Sequence, residues 1–285
     1  MTFLQAVLMA IFQGTTELFP VSSLGHAVIL PTLLGWNFDQ QSSGFLPFLV
    51  VLHVGTAAAL LLYFWREWVR LFMAVLGRGR TKERNLIVLL LVGTLPALFF
   101  GFVFEKWFRH LFGSASAAAW FLVVNGAVLF AGERLRRRAA VASDRRGLAQ
   151  AGWRDALLVG LFQASALFPG ISRSGTTIVG GLLVGLRHED AARFSFLLAT
   201  PIIIGAAVLE IPKLRHAPTE TGSAVLSGNV LWIAGLAAGL TAYASTAFLM
   251  RYFRTHEESA ALDPFAYYCW LAGASALAIL HWPSR

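Results

Sequence analysis

Six apolar stretches of the 285-residue chain, roughly 46–65, 85–104, 114–132, 191–210, 229–250 and 265–282, are each long enough to cross a lipid bilayer as a helix. A span needs about 20 predominantly apolar residues. In lipid every backbone N–H and C=O must find its partner within the protein, so stretches of this kind fold as helices. The composition agrees. Only 13% of residues are charged and 57% are hydrophobic, with a mean hydropathy of +0.65, whereas soluble domains carry about 25% charge. No segment is polar enough to be a soluble domain, so residues 1–285 read as one integral membrane domain. The single cysteine, Cys269, excludes an internal disulfide and a thiolate metal cluster.

Two further apolar regions break in the middle. Residues 2–36 break at Gln13 to Ser23, and residues 155–186 break at Phe168 to Thr177. Each reads as a short helix, a polar turn and a second short helix, the pattern of a re-entrant hairpin. The first does not read as a secretory signal: no basic residue precedes its apolar run, which stops at Phe12. The net charge of +8 is read as a mark of cytoplasmic loops rather than of nucleic-acid binding. With the loops 66–84 and 134–154 placed in the cytoplasm and 155–186 re-entrant, 17 Lys and Arg fall inside and 5 outside. The first hairpin then enters from outside and the second from inside, with three spans after each. This predicts an all-α polytopic membrane protein of two inverted-topology repeats, each a re-entrant hairpin plus three transmembrane helices. Repeat one covers about 1–133, the basic cytoplasmic linker 134–154, and repeat two about 155–285. Both termini lie on the outer side. The motif "FQGTTELFPVSSLG" of the first half matches "FQASALFPGISRSG" of the second, with small gaps, at the same place in each half.

The two breaks hold the residues with chemistry. From Met1 to Trp65 only Glu17 and Asp39 carry a full charge, and Glu17 has apolar sequence on both sides. Arg173 is the only charge between 156 and 186. A charge at mid-bilayer costs about 2.5–3.5 kcal/mol, so such residues face a protein interior and mark function. The bland reading is a structural Glu17–Arg173 ion pair. The neighbours argue for more: Ser172, Ser174, Thr176 and Thr177 add hydroxyls, Gly170 and Gly175 let backbone approach a ligand, and a helix begins here. Arg beside a helix N-terminus suits phosphate. In the first break Pro20 ends a helix, Ser22 and Ser23 suit the next N-cap, and His26 lies one turn on. A carboxylate, a hydroxyl, an imidazole and an anion clamp are the parts of phosphoryl transfer. His53 reads as a packing or hydrogen-bonding residue, and Asn125 as helix–helix glue.

"QGTTELFPVSSLGH" and "PGISRSGTT" resemble the two signature motifs of the undecaprenyl-pyrophosphate phosphatase family, also called the bacitracin-resistance protein family. The resemblance covers the whole chain in length, span order and motif placement. It implies hydrolysis of undecaprenyl pyrophosphate to the monophosphate and inorganic phosphate, recycling the carrier for cell-wall synthesis in the bacterial cytoplasmic (inner) membrane, with both termini periplasmic. It implies catalytic Glu17, Ser23, His26 and Arg173, and phosphate contacts from Ser22, Ser172, Arg173, Ser174, Gly175 and Thr177. It implies a divalent cation, Mg²⁺ or Ca²⁺, on Glu17 and Gln13. The family often has Glu where this chain has Gln13, which leaves the carboxylate role to Glu17. The polyprenyl pyrophosphate and the bilayer are the partners. A homodimer is compatible with the family, and bacitracin competes by sequestering the substrate. "GISRSGTT" lacks the lysine of a P-loop, and Val179 stands where the other large class of membrane lipid phosphatases has histidine. The rival class is a transporter or flippase of a lipid phosphate.

Overall fold

The computed structural model describes residues 1–36, 45–104, 114–140, 146–214, 228–257 and 259–282, with backbone alone for 45–47, 139–140 and 209–214. Arg145, Lys106, Arg109, Arg215, Arg285 and the side chain of Lys213, all part of the charge count, lie outside the described residues. The described residues form helices α1 (Phe3–Thr16), α2 (Ser23–Leu33), α3 (Phe45–Tyr63), α4 (Trp65–Val75), α5 (Thr81–Val103), α6 (Ala115–Ala140), α7 (Trp153–Ala164), α8 (Arg173–Leu183), α9 (His188–Leu214), α10 (Gly228–Thr255) and α11 (Asp263–Leu280).

Four of these, within α5, α6, α9 and α10, are long and apolar enough to cross a membrane, and α3 with α4 makes a fifth if counted as one bent span. The expected span at 265–282 falls in α11, which is not among them. Its first half carries Asp263, Pro264, Tyr267, Tyr268 and Trp270, which dilute its apolar character. The four helices of the two hairpins are short: α1 and α2 have 14 and 11 residues, α7 and α8 have 12 and 11. At about 1.5 Å per residue none reaches across about 30 Å of hydrocarbon.

The loop expected at 66–84 is partly helical. The chain bends by 82° between α3 and α4. Trp65, Val69, Phe72 and Val75 stay exposed along α4 while Leu71 and Ala74 are buried, the pattern of a helix lying along the membrane surface. Packing pairs α1 with α10, α5 with α7, α3 with both α9 and α10, α6 with α11, and α8 with α6, α7 and α9. A Cβ on Gly55 would stand 2.1 Å from the Gly235 carbonyl oxygen, so α3 and α10 touch through backbone. Towards the expected cytoplasmic end, fully buried Glu133 accepts from Arg136 at 2.9 Å and pairs with His188 at 2.9 Å. That network ties α6 to the start of α9.

Candidate functional site

Each hairpin tip is built by local backbone chemistry. After α1 the chain turns through Glu17–Val21, where Pro20 offers no N–H to continue a helix. Ser22 then adopts φ 67°, ψ 95°, a region costly for a side chain with Cβ. In that pose its Oγ caps Gly25 N at 3.2 Å and its carbonyl faces His26. In the second hairpin Ser172 caps α8, accepting from Gly175 N at 3.1 Å. Gly170 has φ 102°, and a Cβ there would lie 2.2 Å from the Ala118 carbonyl oxygen, so no larger residue fits.

The tips meet. Asn125 of α6 donates to the Pro20 carbonyl at 2.9 Å and accepts from Ser172 N at 2.9 Å, which joins one tip to the other. Ser174 Oγ donates to the Phe19 carbonyl at 3.0 Å. Two segments some 150 residues apart are thereby fixed with their buried backbone groups satisfied.

Glu17 is the hub. Its Oε1 accepts from Arg173 Nη2 at 3.0 Å. Its Oε2 accepts from Gln13 Nε2 at 2.9 Å and from Ser23 Oγ. His53 Nε2 stands 3.4 Å from the same oxygen and 3.0 Å from Gln13 Nε2. His53 Nδ1 donates to the Leu49 carbonyl, which can only accept; with the ring neutral, Nε2 accepts a hydrogen bond from Gln13 Nε2. The Glu17 carboxylate and Arg173 do form the ion pair of the bland reading, with side chains 7% and 15% exposed. Two further atoms of the cluster are buried and unpartnered: Arg173 Nη1 and Gln13 Oε1. Such groups cost about 1–3 kcal/mol each when left unsatisfied, so the guanidinium donor and the amide acceptor fit polar ligand atoms.

Of the expected site residues, Gln13, Glu17, Ser23 and Arg173 are thus in direct contact. His26 stands apart from the carboxylate. Its Nδ1 donates to the Ser22 carbonyl at 2.7 Å, and its Nε2 lies 2.8 Å from the Tyr268 hydroxyl. It joins Gln13 and Ser23 in one narrow cleft, lined by Met9, Phe12, Gln13 and Thr16 of α1 and Ser23, His26, Ala27 and Leu30 of α2. One end of that lining is polar and the other apolar. The hydroxyls expected on phosphate have protein partners: Ser172 contacts Phe19 and Ser174, Ser174 contacts Phe19, and Thr177 contacts the Arg173 carbonyl at 2.7 Å and Ser195. These bonds hold the tip that presents Arg173. Ser22 and Gly175 likewise serve the caps.

The donor set suits a hard cation that brings its own water. Glu17 supplies a carboxylate and Gln13 an amide oxygen without a partner. Among the described residues no group of three His, Cys, Asp or Glu could hold a metal by itself. Mg²⁺ is bound in this way, through one or two protein oxygens plus phosphates and water.

Sequence reasoning read His53 as a packing or hydrogen-bonding residue and Asn125 as helix–helix glue without placing either at the tips, and it did not name Tyr268. The available signal was weak but present: His53 is the lone titratable group in the apolar stretch 46–65 before its end.

Fold and site together define a multi-pass helical membrane protein with a buried polar centre where two broken hairpins meet. The chain belongs to the bacitracin resistance protein BacA family, whose model matches residues 6–275. It is 57% identical to an undecaprenyl-diphosphatase of Acidiphilium cryptum (strain JF-5), over 98% of this chain and 99% of that one. It is 55% identical to an undecaprenyl-diphosphatase of Granulibacter bethesdensis, covering 99% and 98%, and 50% identical to one of Gluconacetobacter diazotrophicus, covering 98% of each.

Proposed function

We infer that this chain hydrolyses undecaprenyl pyrophosphate to undecaprenyl phosphate and inorganic phosphate, which returns the lipid carrier to cell-wall synthesis and gives resistance to bacitracin. The observation that carries the reading is the triple contact at Glu17, with Arg173 on one carboxylate oxygen and Ser23 and Gln13 on the other. A flippase would need an anion clamp but has no use for a hydroxyl held on a carboxylate. The names and identities of the relatives support the same choice.

In the chemistry we propose, Arg173 leaves Glu17 for the pyrophosphate, and Nη1 gains the partner it lacks. A planar guanidinium matches two phosphate oxygens at once. Ser23 Oγ attacks the terminal phosphorus and passes its proton to Glu17 Oε2, with which it already shares a hydrogen bond. The bond to the bridging oxygen breaks and its electron pair leaves on undecaprenyl phosphate. Water gives a proton to Nε2 of His26, which lines the same cleft as Ser23, and attacks the phosphoserine. The bond from phosphorus to Ser23 Oγ breaks, Glu17 returns its proton to that oxygen, and phosphate leaves with the proton from His26. The contact between Ser23 and Glu17 favours this route over direct attack by water, because the serine hydroxyl is already held on the base. A divalent cation on Glu17 and Gln13, Mg²⁺ or Ca²⁺, would neutralise pyrophosphate charge when bound. The prenyl chain would follow the apolar part of the cleft, past Met9, Ala27 and Leu30. Bacitracin competes by sequestering that lipid, and no step requires a second copy of the chain.

Purified protein in detergent with undecaprenyl pyrophosphate and Mg²⁺ is expected to release inorganic phosphate, and EDTA to stop the release. Transport has no meaning in detergent, so absence of release would favour the flippase. Full activity in EDTA would remove the cation from this account.

We further read the chain as two inverted repeats in the bacterial inner membrane, with periplasmic termini. The packing supports this: α1 lies on α10 as α7 lies on α5, the exchange that a two-fold axis between the halves produces. In a Cys269→Ser background, a cysteine at position 2 should react with an impermeant maleimide in intact cells, and one at position 78 only after permeabilisation. Labelling of position 78 in intact cells would contradict the topology.

A further inference from the structure

We propose that Tyr268 is a positioning residue of this hydrolysis: its hydroxyl holds Nε2 of His26 and so fixes the stance of the imidazole in the cleft. The proposal rests on the hydrolase reading above. Three observations carry it. The first is tautomer geometry. The Ser22 carbonyl can only accept, so Nδ1 of His26 bears the hydrogen of that 2.7 Å contact. Nε2 of the neutral ring is then a lone pair, and the Tyr268 hydroxyl at 2.8 Å is its donor. Any proton that His26 accepts during turnover must arrive at Nε2, beside Tyr268. The second is packing. The imidazole lies between two rings, Phe12 at 5.9 Å and Tyr268 at 5.7 Å, the latter nearly parallel at 18°. The third is placement. Tyr268 comes from α11, 242 residues away, outside both motifs, and is 41% exposed while His26 is 8% exposed. A half-exposed tyrosine at the edge of the cleft therefore completes the surroundings of its buried histidine.

The tyrosine hydroxyl binds no phosphate in this account, since Arg173 does that. Its loss should thus act on turnover and not on substrate binding. Tyr268→Phe keeps the ring and removes the hydroxyl. Nε2 then loses its hydrogen-bond partner and the imidazole its fixed stance. Misplacing a reacting group by about 1 Å costs up to about a hundredfold, and with the ring stack retained we expect about a tenfold fall in kcat.

The test compares wild type with Tyr268→Phe in detergent on undecaprenyl pyrophosphate, with thermal unfolding and ¹⁵N NMR of histidine-labelled protein, His26→Asn identifying the resonance. The expected result is a lower kcat, a KM within about twofold, an unchanged Tm, and a moved Nε2 resonance. Wild-type kcat in Tyr268→Phe, an unmoved Nε2 resonance, or a loss matched by a lower Tm or an equal rise in KM would overturn the proposal. If the wild type itself releases no phosphate, the hydrolase reading fails first. Release by the wild type with full turnover of the variant sinks the role of Tyr268 alone.

Discussion

Glu17→Gln is expected to lower turnover by about a hundredfold or more, the scale of a lost general base, while Gln13→Glu keeps its activity at saturating Mg²⁺. The geometry sets the asymmetry. Glu17 receives Arg173, Ser23 and Gln13 together. An amide in its place offers a single acceptor, cannot take the serine proton, and leaves Arg173 without a counter-charge. Gln13 contacts Glu17 at 2.9 Å and His53 at 3.0 Å through its amide nitrogen, and its carbonyl is idle. A glutamate there sets two carboxylates against each other, a repulsion that a cation relieves. Gln13→Glu should therefore bind Mg²⁺ more tightly and depend on it more steeply. The measurement is phosphate release against Mg²⁺ concentration, on variants of equal Tm. Equal losses at the two positions would mean that the side chains work as one unit, and the base would no longer be assigned to Glu17 alone.

Arg173→Lys is expected to lose most activity, about a hundredfold or more, although the charge is kept. Arg173 spends Nη2 on Glu17 and has Nη1 buried without a partner. A guanidinium offers both nitrogens in one plane, whereas an ammonium is a point charge that cannot reproduce the fork. If Arg173 were only the ion-pair partner of Glu17, lysine would serve nearly as well. Near-normal turnover in Arg173→Lys would return it to that structural role.

The two breaks were legible because Pro, Ser and Gly interrupt helices for local reasons. Helix α2 begins at Ser23, the last residue of the expected break, and α8 at Arg173, within the second. Helix ends at the membrane surface were less legible. The stretch expected to end at 132 continues as α6 to Ala140, so the basic linker begins as helix. Hydropathy reports where apolar residues stop, and a helix carrying Arg134 to Arg138 can run on into water. The 82° bend after Tyr63 left no proline or glycine to read. In the site, the residues inside the motifs were visible because several polar types crowd one apolar region. His53, Asn125 and Tyr268 come singly from α3, α6 and α11. A lone polar residue on a long helix is more often a packing contact, and only tertiary structure brings these three to the tips. Ser172, Ser174 and Thr177, expected on phosphate, also bond Phe19, Arg173 and Ser195, a role in holding the tip that the motif alone does not reveal.

The central claim is that two motifs from opposite halves of the chain form one catalytic site. Combining Glu17→Gln with Arg173→Lys tests it most directly. Residues that act as a unit give strongly non-additive losses, whereas independent ones multiply. The account predicts that the double variant releases phosphate no more than about tenfold more slowly than the worse single variant. A loss equal to the product of the two single losses would contradict it.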